Sequence, residues 1–108
     1  MAIRAARADA RGNGQVGAIG GSAGGHHTAY CSVTGTKGDD RLDVGVRLSG
    51  AYDFADSSSD PNINAFVNDV TNYVGVTEFE TAALLAASPV SFVDAQAAPL
   101  FLINSAQD

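Results

Sequence analysis

Two periods organise the apolar positions of this chain. Leu42, Val44, Val46 and Leu48 alternate with other residues, a two-residue period that predicts a strand over 42–49. Ile63, Phe66, Val67, Val70 and Val74 recur at three- and four-residue spacing, which predicts a helix over 63–74. Two compact apolar runs, 15–19 and 100–103, read as buried strands, the second bounded by Pro99. Ala- and Arg-rich residues 2–11 predict a first helix, with Ile3, Ala6 and Ala10 on one face and Gly12-Asn13-Gly14 ending it. Further helices are expected over 26–33, closed by Gly35, and over 77–87. In the latter Thr77 is the expected cap, Glu80 stands three residues on, and Ser88-Pro89 is the stop. Residues 50–62, rich in Ser, Asp and Pro, read as a loop. Strands alternating with helices imply an α/β architecture with a parallel sheet.

Composition narrows the class. The 108 residues are 45% apolar and 17% charged, the profile of a globular protein. A single cysteine excludes an internal disulfide framework. No apolar run approaches the roughly 18 residues of a membrane span, and the first seven residues lack the apolar stretch of a secretory signal. The net charge is −6, unevenly placed: all six Lys and Arg lie at or before Arg47, and eight acidic residues follow it. A chain half without a cation offers no phosphate-binding surface, so nucleic acid is not the expected partner. The acidic half reads as solvated surface.

The motif that carries chemistry is Gly20-Gly21-Ser22-Ala23-Gly24, a G-x-S-x-G with a strand leading in and a helix leading out. In that setting the serine sits on a sharp, strained turn that lifts its hydroxyl above the C-terminal edge of the sheet. Gly20 and Gly24 remove Cβ atoms that would collide with neighbouring backbone. The N–H of Ala23, at a helix N-terminus, is placed to meet a developing oxyanion. The plainer reading is a strand-to-helix turn with a structural serine. Gly12-Asn13-Gly14-Gln15-Val16-Gly17 spells G-x-G-x-x-G but follows a helix and enters a strand, the reverse of a dinucleotide site.

Three segments resemble the α/β-hydrolase superfamily, in its esterase/lipase branch with acetylesterase and carbohydrate-esterase members. They are Gly20-Gly21-Ser22-Ala23-Gly24-Gly25-His26, the strand end Ser49-Gly50-Ala51-Tyr52-Asp53, and Ala87-Ser88-Pro89 followed by Pro99-Leu100-Phe101-Leu102-Ile103-Asn104-Ser105-Ala106-Gln107-Asp108. The likeness spans essentially the whole chain. It implies a partial α/β-hydrolase fold, a single partial domain over 1–108 with a parallel sheet of about three strands and flanking helices. It implies Ser22 as nucleophile and Asp108 as the acid that orients the catalytic histidine, with Asp53 as the alternative acid. Asn104-Ser105 stand where the family has His-Gly. The family order of Ser, acid, His puts the histidine beyond Asp108, and the second oxyanion donor before Met1, so the resemblance implies an internal piece of a longer hydrolase.

On this reading the substrate is a small-molecule carboxylic ester, with a short acyl group or an acetylated sugar, and no metal or cofactor is required. A peptidase of the prolyl-oligopeptidase type and a non-catalytic module of the same fold are the alternatives. His26 and His27 lie on the helix that leaves the elbow, away from the hydroxyl, and read as packing or surface residues. Adjacent helical positions diverge by about 100°, so the pair is not expected to share a metal. Cys31 reads as a small buried hydrophobe. Phe66, Tyr73 and Phe79 read as core, with a pocket lining as their other use.

Overall fold

A computed structural model of the chain describes residues 2–55, 63–76 and 81–105. The elements run α1 (Ala2–Arg7), β1 (Gly17–Gly21), α2 (Ala23–Val33), β2 (Val44–Leu48), α3 (Ile63–Val74), α4 (Thr81–Ala87), a 3₁₀ turn (Pro89–Phe92) and β3 (Leu100–Ile103). The three strands form one parallel sheet in the order β1-β2-β3, with helices flanking it. Ile19 stands beside Val46 and Val46 beside Phe101, so β2 is central and the C-terminal ends of all three strands share one crest.

Several boundaries differ from the sequence reading. The first helix stops at Arg7 rather than residue 11 because the Asp9 carboxylate accepts the Arg11 N–H at 2.9 Å and pairs with its guanidinium at 2.7 Å. Such local side-chain bonds offer the backbone an alternative to the helix. The first strand runs two residues further, through Gly20 and Gly21, and the helix after it starts at Ala23 instead of residue 26. The turn between them is therefore Ser22 alone. The capping pair expected at Thr77 and Glu80 lies outside the described residues.

The helix α2 packs on one face of the sheet through small residues. Ala29 and Val33 are buried with Leu42, and Gly45 of β2 leaves room for Thr28 and Ser32. A Cβ at Gly45 would lie 2.8 Å from Ser32 Oγ. The buried hydroxyls are satisfied within the helix, Thr28 donating to the Gly24 carbonyl at 2.9 Å and Ser32 to the Thr28 carbonyl at 2.7 Å. A second cluster, Phe54, Val70 and Leu84, joins the β2 exit to α3 and α4. Arg7 ties α1 to the other end of the sheet, donating to the carbonyls of Gly14, Asp39 and Arg41 and to the Asp43 carboxylate.

The opposite face of the sheet is open among the described residues. Ile19, Val44, Leu48, Phe101 and Ile103 are all exposed there, Ile19 by 72%. Parallel sheets ordinarily bury both faces. Among the described residues no helix is long and apolar enough to cross a membrane.

Candidate active site

Ser22 joins β1 to α2 with φ 52° and ψ −119°. For a residue with a Cβ this is a sparsely populated conformation, worth about 1–3 kcal/mol of strain, and it persists only where neighbours enforce it. Both backbone groups of Ser22 are held. Its N–H donates to the Leu48 carbonyl of β2 at 2.9 Å, and its carbonyl accepts the His26 N–H at 3.1 Å, the first turn of α2. Gly20 lets that helix turn back onto the strand, because a Cβ there would overlap the Gly24 carbonyl and come within 2.9 Å of the Gly25 nitrogen. Gly24 carries no such constraint: a Cβ there would meet nothing within 4 Å.

A serine in the N-cap position ordinarily bonds a first-turn N–H through its hydroxyl. Ser22 makes no such bond, so its hydroxyl is not engaged in ending the helix. Ala23 is the first helical residue, where amide groups have no intrahelical acceptor and the helix dipole favours negative charge. Both residues line a cleft of about 390 Å³, with His26, Ser49, Phe54 and Tyr73 among its walls.

Replacing Ser22 by glycine is expected to stabilise the fold relative to Ser22→Ala by about 1 kcal/mol, because only the glycine relaxes the positive φ. Urea unfolding of the two variants measures the difference. Equal midpoints would mean that the turn stores no strain.

His26 is the histidine nearest the elbow in sequence, and its Nε2 is engaged by another element. Nε2 lies 2.8 Å from the Ala87 carbonyl, so that nitrogen carries a proton and donates. The ring stacks on Phe54 at 4.6 Å and 24°. Burial pushes its pKa below the ordinary histidine value, and the positive charges of His27 and Arg47 push the same way against the Ala87 bond. His26 therefore packs the cleft wall as a neutral imidazole.

An unfolded chain binds the proton that folded His26 resists, so stability is full above pH about 6.5 and declines as the pH falls below it. Between pH 6.5 and 4.5 the melting temperature is expected to fall more steeply for the wild type than for His26→Gln. Parallel slopes would remove His26 as the cause. Asp39 and Asp43, whose pKa values arginine and backbone partners depress, act only at lower pH.

The other sequence candidates are placed as follows. The Asp53 carboxylate accepts the Ala55 N–H at 2.9 Å, an Asx turn. It does not line the Ser22 cleft, whereas Asp69 of α3 does. Asp108 lies outside the described residues. Cys31 is half-buried rather than fully buried, and burial pushes its thiol pKa up, which keeps it protonated. Tyr73 is 53% exposed and stands in the cleft wall rather than in the core. The side chain of Phe66, and Phe79, lie outside what is described. Among the described residues no group of three or more His, Cys, Asp or Glu gathers as a metal site.

Two site features escaped the sequence reading. Ser49, at the end of β2, also has a positive φ (44°), and its N–H donates to the Ile103 carbonyl at 2.9 Å as that of Ser22 does to Leu48. The dipeptide Ser49-Gly50 at a strand end was the available signal. Arg47 has no solvent exposure, and its three guanidinium nitrogens have no hydrogen-bond partner among the described residues. Its guanidinium carbon lies 2.9 Å from the centroid of the Tyr52 ring. Nothing in an alternating strand pattern marks such a residue as buried. Comparison with known protein families, with curated proteins and with solved structures finds no match for this chain.

Proposed function

We propose that this chain carries the nucleophile of a serine hydrolase acting on carboxylic esters, built on an α/β-hydrolase fold. The observation that carries the reading is Ser22: a serine at positive φ, alone between a parallel strand and a helix N-terminus, with its hydroxyl not used as a cap and a cleft at its side. A purely structural N-cap has no reason to bear that strain or to leave the capping bond unmade.

In the proposed reaction Ser22 Oγ attacks the acyl carbon and its proton passes to a general base. The carbonyl oxygen becomes an oxyanion, and the Ala23 N–H donates to it; one such donor contributes about 2.7–4 kcal/mol to lowering the barrier. Collapse expels the alcohol, which takes the proton from the base, and water then releases the acyl group. His26 Nε2 is engaged with the Ala87 carbonyl and cannot accept that proton. The base of this proposed reaction is a histidine outside residues 1–108, oriented by Asp108.

Two measurements test this. By itself the 108-residue chain is expected to hydrolyse p-nitrophenyl acetate no faster than its Ser22→Ala variant; Ser22-dependent turnover would mean that the base lies within the chain. In the longer protein that the reading implies, Ser22→Ala is expected to abolish labelling by a fluorophosphonate. Labelling that persists would remove Ser22 as the nucleophile.

A further inference from the structure

A second cleft, of about 460 Å³, adjoins the one at Ser22 and shares His26 and Tyr73 with it. We propose that this second cleft is a stacking subsite for a planar aromatic ring of the ester, a specificity assignment that rests on the hydrolase reading of Ser22. Its walls are four rings, His26, His27, Tyr30 and Tyr73, together with Val74 and the alanines of α4, Ala83 and Ala86 among them. Alanines at the α4 wall leave a flat surface with no side chain beyond Cβ.

The rings are held in place. His26 is clamped between Phe54 and the Ala87 carbonyl. Tyr30 donates its hydroxyl to the Ala86 carbonyl at 3.0 Å. Tyr73 stands edge-on to both imidazoles, 5.6 Å from His26 at 84° and 5.8 Å from His27 at 76°. Aromatic groups prefer such edge-to-face and offset contacts, and a planar guest extends the same pattern.

The polar inventory separates an aromatic ring from a sugar. A sugar ring in a pocket needs hydrogen-bond partners for several hydroxyls. Here His26 Nε2 and the Tyr30 hydroxyl already face protein carbonyls, and the alanines offer no side-chain polar atom. The exposed His27 imidazole and the Tyr73 hydroxyl are left as polar groups, enough for one or two substituents on an otherwise apolar ring but not for the several hydroxyls of a sugar. The cleft therefore favours an aryl group over the acetylated sugar that family resemblance implies.

The test is binding, read without turnover. Methyl 4-hydroxycinnamate, uncharged and planar, is titrated into the 108-residue chain and followed by two-dimensional NMR. Shifts are expected at His27, Tyr30, Tyr73 and Ala86, and Ser22→Ala should bind equally well. Tyr73→Leu is expected to weaken binding about two- to tenfold. Ala86→Leu, an exposed helical position where leucine is readily accommodated, should fill the cleft and abolish the shifts without loss of helix signal. The proposal is overturned if the shifts fall elsewhere, if Ala86→Leu leaves them unchanged, or if methyl 6-O-acetylglucoside produces them at the same concentration. Fluorophosphonate labelling of Ser22 in the longer protein reports separately on the hydrolase reading. Binding here without labelling there would sink that reading alone, and labelling without binding would sink this one alone.

Discussion

Gly20→Ala is expected to destabilise the chain by about 3 kcal/mol or more, the top of the usual range for overpacking, because nothing at this site can yield. The added methyl would overlap the Gly24 carbonyl and approach the Gly25 nitrogen, and both are backbone. Moving them would unwind the first turn of α2, which the His26 N–H to Ser22 carbonyl bond begins. Moving Gly20 instead would pull β1 from β2, where Gly20 stands opposite Arg47. Gly24→Ala is the internal control. It belongs to the same motif, meets open space, and replaces a helical glycine by alanine, a change favourable by up to about 1 kcal/mol. Thermal melts of the two variants should therefore move in opposite directions, with Gly20→Ala falling by more than about 12 °C if the chain melts as a small two-state domain. Similar shifts at both positions would refute the close approach of α2 to β1.

The second large effect runs the other way. Arg47→Met is expected to stabilise the fold by about 1–3 kcal/mol, since it removes a buried cation that no described group accepts a hydrogen bond from, and keeps most of the side-chain volume. The penalty shows in the guanidinium itself, whose pKa burial lowers to about 10. In the unfolded chain the group stays charged to well above that value. As the pH rises through about 10 the folded state releases the proton before the unfolded state does, so the wild type recovers stability that it lacks at neutral pH. The advantage of Arg47→Met should therefore narrow between pH 9 and 11 in urea unfolding. A destabilised Arg47→Met would instead mean that stacking on Tyr52 outweighs the desolvation of the charge.

Much of the architecture was legible locally. The helix over 63–74 and the strand over 100–103 occur at the predicted bounds, the first because its apolar spacing has a helical period and the second because a four-residue apolar run after Pro99 is too short for a helix. The G-x-S-x-G motif located the elbow, since a serine flanked by glycines between a strand and a helix has few places to go. What misled was the glycine run. Gly20-Gly21 and Gly24-Gly25 fall within the sharp turn expected between the strand ending at residue 19 and the helix from residue 26, whereas one pair extends β1 and the other enters α2, because strand pairing and the Leu48 carbonyl organise them from outside. Glycine's freedom is settled by tertiary contacts rather than by its own preference.

The alternation through β2 shows the division most clearly. Leu42, Val44, Val46 and Leu48 marked the strand, a property of the local chain that sequence by itself determined. Which face α2 covers was decided only in three dimensions. Close packing of a helix built from Gly, Ala, Ser and Thr required Gly45 beneath it, and in a strand with a period of two that choice carries Arg47 inward. Val44 and Leu48 are left on the open face, and a charged side chain lies buried against Gly50 and the Tyr52 ring with no hydrogen-bond partner among the described residues.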